Sequence, residues 1–250
     1  MIEKCVIDEN VLKNIVRFAA QFEGIEWGGA LLGWQESDTV YVILCFFPPQ
    51  MLQYGSYCEF DGRDLIRLKN ALSDTLQKYP RFRARKIVGW IHTHPHLSVF
   101  LSSQDLSTFN TIFSLEPNAV AVVIDPFCKE KYSSVFTKEN LAGFPLTAKK
   151  LILDTYYDED KAVQFLENSL VSNYPNSQVY LFSPNTKMLF DDVKVFLDFD
   201  LLYGKDAHRD ENKPWEDVKK WSTNRKKCKN CGGIIDSNAR ICEFCRTLNL

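Results

Sequence analysis

No apolar run in this sequence approaches the ~20 residues that a helix needs to span a bilayer, so a membrane-embedded helical protein is not expected. The first ten residues, MIEKCVIDEN, carry acids and a cysteine where a secretory signal places basic residues and then an apolar stretch. Charge of one sign is also lacking: the net charge is -2, which excludes a polybasic nucleic-acid binder and an acidic tail protein. Internal repeats and low-complexity tracts are absent. These absences point to the cytoplasm, with a nuclear home left open, and make nucleic acid and membrane unexpected partners. What is present is ordinary for a soluble globular protein, with 45% hydrophobic and 25% charged residues. The 250 residues suffice for one large or two modest domains.

The eight cysteines are unevenly spread. Cys5, Cys45, Cys58 and Cys128 are scattered and read as buried small hydrophobes. Cys228, Cys231, Cys242 and Cys245 form two CxxC pairs near the end of the sequence. In a reducing compartment such clustering speaks for metal rather than disulfides.

Apolar periodicity predicts an amphipathic helix over 10–22 and a second over 62–79. GGALLGW and TVYVILCFF read as an antiparallel strand pair joined through the polar QESD turn. RKIVGWIHTH reads as a buried strand, SSQDLSTFNTIFSL as a helix with a serine cap, and NAVAVVIDPF as a strand stopped by proline, with YSSVFT beside it. Residues 150–170 hold a further helical pattern. QVYLFS and MLFDDVKVFLDF are short apolar runs that fit strand or helix equally. The chain turns polar from Tyr203 to about Trp221, as a linker does.

Histidine is scarce, and three of the four fall within five positions: His92, His94 and His96. Residues two apart in a strand face the same way, so His92 and His94 can converge on one metal ion. Pro95 then stops the strand. Ser102 and Ser103 can open a helix whose first turn carries Asp105. Two imidazoles and a carboxylate leave a fourth position open for water, as a hydrolytic zinc site requires. Plainer readings stand beside this one. Strand histidines are often hydrogen-bonded core residues, and Ser102 with Asp105 also fits the S-x-x-D capping pattern.

The stretch GWIHTHPHLSVFLSSQD runs His92-Thr93-His94-Pro95, six residues, Ser102, two residues, Asp105. It resembles in full the H-[ST]-H-P-x6-S-x2-D signature of the JAMM (MPN+) metalloproteases. EWGGALLG, starting at Glu26, is similar to that family's E-x-x-G-x-L-x-G segment. The helix before the motif, the VGW lead-in and the AVAVVIDP strand look like the family's proteasome-lid deubiquitinase branch. The resemblance spans roughly residues 1–145. It implies an α/β fold with an MPN (cytidine deaminase-like) core, a mixed β-sheet flanked by helices. It also implies a catalytic Zn²⁺ on His92, His94 and Asp105, with Glu26 as general base and Ser102 as donor to the oxyanion. Glu23 is a rival base, His96 a bystander on the loop. Phe100 and Leu101 are core anchors or contacts for a substrate tail.

In the tail, Cys228-x2-Cys231, ten residues, Cys242-x2-Cys245 resembles a short zinc ribbon. It would hold a second, structural Zn²⁺ in a closed site of four thiolates, and so small a module would be folded by its metal. Its surrounding basic residues form a solvated face, a docking surface for a protein partner or complex, or a weak nucleic-acid contact. The expected organisation is a catalytic domain over 1–145, an α+β extension over 146–203, a linker over 204–223 and the ribbon over 224–250. The function implied is a zinc isopeptidase that removes ubiquitin or a ubiquitin-like protein from its conjugates or precursors. Processing of a sulfur-carrier β-grasp protein or a small peptide is the alternative on the same fold, and a non-catalytic MPN scaffold is the alternative from another class.

Overall fold

The computed structural model describes residues 1–54, 57–128 and 131–187, together with the backbone of two short strands, Arg225–Lys227 and Ile234–Asp236. The chain opens with a strand, Lys4–Asp8 (β1), that passes directly into a helix, Glu9–Gln21 (α1). Asp8 makes the junction: its carboxylate accepts the N–H groups of Asn10 and Val11, two of the donors a helix start leaves unpaired.

Two nine-residue strands follow, Gly28–Glu36 (β2) and Thr39–Phe47 (β3), paired antiparallel as their composition predicts. A small hairpin comes next, Gln50–Tyr54 (β4) with Tyr57–Phe60 (β5), and then the long helix Gly62–Lys78 (α2). The strand Lys86–Thr93 (β6) pairs antiparallel with β2 and carries the first histidine. After the helix Ser103–Ile112 (α3), Val120–Ile124 (β7) returns parallel to β6, and Ser133–Phe136 (β8) pairs antiparallel with β7.

The sequence division at residue 145 does not coincide with a break in this sheet. Leu146–Lys149 (β9) pairs parallel with β1, and Tyr180–Phe182 (β10) pairs antiparallel with the end of β3. The helix Glu159–Ser172 (α4) lies between them in sequence and packs on α2. Up to residue 187, the stretch expected as an extension is therefore part of the same sheet and core. The strand order is β8-β7-β6-β2-β3-β1-β9, with β10 on β3.

Both faces of the sheet are covered, so its strands read as continuous apolar runs rather than alternating ones. Ala30, Leu32, Trp90, Ala121 and Val123 face α2, α3 and α4, meeting Leu68, Leu72, Phe109 and Leu166. Leu31, Val42, Ile91, Val120 and Val122 face the other way, onto Val11, Leu12, Ile15 and Phe18 of α1. His92 follows Trp90 by two positions and so lies on the α2–α3 side of β6. The tail strands Arg225–Lys227 (β11) and Ile234–Asp236 (β12) pair antiparallel with each other. The four tail cysteines and the apolar run 188–199 lie outside the described residues.

Candidate metal centre

The centre forms where β6 ends. Gly28 on β2 stands opposite His92, and beyond the last strand pair Thr93 grips the chain ahead of β2 twice. Its N–H donates to the Trp27 carbonyl at 2.9 Å, and its hydroxyl accepts the Trp27 N–H at 2.8 Å. The β4–β5 hairpin clamps the same segment: Gln53 donates to the Glu26 carbonyl at 3.0 Å, and Gln50 bonds both the N–H and the carbonyl of Gly28. These bonds turn the Glu26 side chain towards His92. From the other side, the His94 N–H donates to the Ile124 carbonyl at 2.8 Å, which carries the β6–β7 ladder one residue past the strand.

Four buried side chains converge there: Glu26, His92, His94 and Asp105. Nε2 of His92 lies 3.0 Å from Glu26 Oε2 and 3.6 Å from Asp105 Oδ1. Nε2 of His94 lies 3.6 Å from Asp105 Oδ2 and 3.9 Å from Glu26 Oε1. The donor atoms of Glu26, His92 and His94 all lie within 4.8 Å of one another. Tetrahedral zinc with bonds of about 2.0–2.1 Å sets neighbouring donors about 3.3–3.4 Å apart. Asp105 approaches both imidazoles evenly and near that spacing. Glu26 approaches them unevenly, at hydrogen-bond distance from one. The donor set, two imidazoles and two carboxylates, fits a divalent metal such as zinc.

Asp105 is held by the start of α3. Its N–H donates to Ser102 Oγ at 3.1 Å, and its Oδ2 accepts the Ser102 N–H at 2.8 Å, a reciprocal capping box. The plain capping reading and the ligand reading thus hold together, because one carboxylate oxygen faces the cap and both reach the imidazoles. Burial pushes the Asp105 carboxyl up, but His94, His92 and Ser102 outweigh it and bring the pKa down to about 2. Burial likewise disfavours charge on His94. Asp105, Glu26 and the Ser98 carbonyl more than offset that and raise its pKa.

Each imidazole is fixed from behind. His94 Nδ1 donates to the Ser98 carbonyl at 3.0 Å, and His92 Nδ1 lies 3.5 Å from Cys58 Sγ on β5. Cys58 is one of the four scattered cysteines that read from sequence only as small hydrophobes. Burial raises its thiol pKa well above the usual value, with Glu26 and Asp105 adding to the effect. Nothing in the sequence links Cys58 to His92, since the contact exists only because the hairpin folds back over β2. Asp125, just after β7, falls within the AVAVVIDP segment of the family resemblance, which assigns it no role of its own.

The remaining candidates sit at the margin. Glu23 reaches away from the centre to His96, 2.5 Å from its Nε2, and His96 stacks on Phe127 with ring centroids 4.0 Å apart. Phe100 is 46% exposed and meets His94 edge-on at 5.0 Å, whereas Leu101 packs on the core. Among the described residues no helix is long and apolar enough to cross a membrane.

A β-sheet wrapped by helices, with two histidines and two carboxylates meeting at a strand end, defines an α/β protein with a buried metal-binding type of centre. Residues 1–118 match the family described as JAB1/Mov34/MPN/PAD-1 ubiquitin protease. It is 34% identical over 125 residues to the 26S proteasome regulatory subunit rpn11 of Schizosaccharomyces pombe, covering 49% of this chain and 39% of that one. It is 28% identical over 139 residues to AMSH-like ubiquitin thioesterase 2 of Arabidopsis thaliana, covering 55% and 57%. Against the ubiquitin carboxyl-terminal hydrolase RPN11 of Saccharomyces cerevisiae it is 46% identical over 99 residues, covering 39% and 30%. The chain thus spans between 30% and 57% of the length of these relatives.

Proposed function

We propose that this chain is a zinc-dependent isopeptidase that releases ubiquitin or a ubiquitin-like modifier from conjugates or precursors. The observation that carries the reading is the convergence of His92, His94, Asp105 and Glu26 at one buried point, inside the region that matches the family. His92, His94 and Asp105 are the proposed ligands, and Glu26 the proposed base. When bound, the metal supplies Lewis-acid polarisation and lowers the pKa of water towards neutrality. Glu26, buried beside His92, is suited to take up a proton and return it to a leaving amine. Ser102 spends a lone pair on the helix cap, so its O–H proton remains available to donate to a carbonyl oxygen as negative charge develops there.

The relatives' names favour a ubiquitin-type modifier over a sulfur carrier. A non-catalytic scaffold has no need of a filled donor set. For the tail we propose a four-cysteine ribbon on Cys228, Cys231, Cys242 and Cys245 holding a structural zinc, with docking into a protein complex as its role and the cytoplasm as its location. Incubating the zinc-loaded chain with isopeptide-linked diubiquitin and other ubiquitin-like conjugates, with and without a chelator, tests the proposal. Chelator-sensitive cleavage is expected. No cleavage of any conjugate by zinc-loaded protein would overturn it.

A further inference from the structure

The loop after the second histidine is held in an unfavourable shape. His96 and Ser98 have φ of 63° and 70°, a left-handed backbone that residues other than glycine seldom adopt. Such residues persist only where their surroundings dictate them. Asp125 supplies that constraint. It is 1% exposed, and among the described residues its carboxylate meets three donors, all of them backbone N–H groups. Its Oδ1 accepts from His96 at 3.2 Å and from Phe127 at 2.9 Å, and its Oδ2 accepts from Ser98 at 2.8 Å.

The consequence falls on His94. The Ser98 carbonyl, fixed by this loop, faces His94 Nδ1 at 3.0 Å. A carbonyl can only accept, so Nδ1 carries the proton, and in the neutral ring the lone pair is on Nε2, which faces Asp105. We propose that Asp125 is a positioning residue that sets the tautomer and aim of His94 through the Ser98 loop, without touching His94 itself. Only a carboxylate serves here. Asparagine has one acceptor oxygen for three donors and would turn an NH₂ towards an N–H.

The metal-binding side of this inference rests on the reading of His94 as a ligand; the tautomer side does not. Partners behind a metal-binding histidine typically change metal affinity about 10–100-fold when removed. Long-range ¹H–¹⁵N NMR of the full-length chain without zinc, recorded with rising pH until the ring is neutral, reads the His94 tautomer directly. Zinc competition against a chromophoric chelator, referred to His94→Ala, reads the affinity of this site. Asp125→Asn is expected to replace the pure Nδ1–H signature by a mixture and to weaken zinc about 10–100-fold. Ser98→Pro is the second variant, on an exposed residue, should Asp125→Asn fail to fold. It removes the N–H that Oδ2 accepts and cannot adopt a positive φ, so the same two changes are expected. Ser98→Gly keeps the N–H, the carbonyl and the positive φ, and should match the wild type. Folded Asp125→Asn or Ser98→Pro protein with an unaltered His94 tautomer and zinc affinity within about twofold of wild type would overturn the proposal. Neither readout uses a substrate, so failure of the wild type to cleave conjugates would count against the isopeptidase reading alone.

Discussion

Glu23 and Glu26 are three residues apart, yet the turn between α1 and β2 sends them to different histidines. Glu26 is buried against His92, while Glu23 is partly exposed against His96. Glu26→Gln should therefore keep the fold and the zinc but lower turnover about 10²–10⁴-fold, the usual effect of losing a general base. Glu23→Gln should stay close to wild type. Conjugate cleavage and metal content of the two variants check this, and a larger loss from Glu23→Gln would reverse the assignment. Asp105→Asn addresses the ligand set. It removes a buried carboxylate that lies 3.6 Å from both imidazoles. Activity should vanish, and bound zinc should fall by one per chain while the tail's zinc stays; unchanged zinc content would favour Glu26 as the ligand. At this scale the His-x-His pair and the S-x-x-D cap were legible, because strand and helix periods act over a few residues. Cys58 and Asp125 were not. Their roles depend on which strands become neighbours, and no local pattern encodes that.

Close backbone approach explains glycines on both β2 and β6. On β2, a Cβ at Gly33 would lie 1.8 Å from the Tyr41 carbonyl oxygen. A Cβ on Gly89 would lie 2.2 Å from the Val120 carbonyl oxygen, so β6 and β7 can approach only because Gly89 has none. Gly89→Ala should force apart the parallel pair that carries His92, lowering both melting temperature and zinc affinity. A variant with wild-type melting would show that the strands yield. The helices were legible to within a residue or two at most ends, since each shows a clear apolar stripe. β1 and the β4–β5 hairpin were not read from sequence, because runs of four or five residues lack a decisive period. The join between the start of α4 and the loop that follows α2 carries a pH dependence. Glu159 is fully buried and takes Arg83 Nε at 2.8 Å, Arg83 Nη2 at 2.6 Å and the Asp154 N–H at 2.7 Å. Burial raises its pKa, but these donors outweigh it and the net shift is below the usual 4.5. A lowered folded pKa stabilises above the unfolded value and ceases to do so as pH falls through the folded one. The stability gap between wild type and Glu159→Gln, read by urea unfolding, should be constant above about pH 5 and close on further acidification. A gap that widens in acid would contradict the pairing.

The division of the whole molecule is where sequence and structure part most. Residue 145 looked like an end because the recognisable motif stops there, whereas the sheet continues. Leu146 and Ala148 of β9 lie in the core on the α1 side together with Phe182 of β10, and Ala162, Leu166 and Leu170 of α4 lie in the core on the other side. Each large apolar side chain among them is worth about 1.5–3 kcal/mol when buried. Losing several removes an amount comparable with the ~5–15 kcal/mol that holds a whole domain together. A chain ending at residue 145 should therefore fail to fold, although it contains every proposed catalytic residue. A chain ending at residue 223 should behave differently. It keeps the described sheet and helices through 187, and it lacks the cysteine tail that a polar stretch separates from them. It should melt near the full-length temperature, bind one zinc fewer, and still cleave a minimal isopeptide substrate, while losing affinity for whatever larger assembly the tail docks. Thermal melting, zinc content and diubiquitin cleavage of the two truncated chains decide the matter. If the chain ending at 145 melts cooperatively near the full-length temperature, β9, α4 and β10 are dispensable and 145 is a true boundary. If the chain ending at 223 loses both melting temperature and all cleavage, the cysteine tail belongs to the catalytic core.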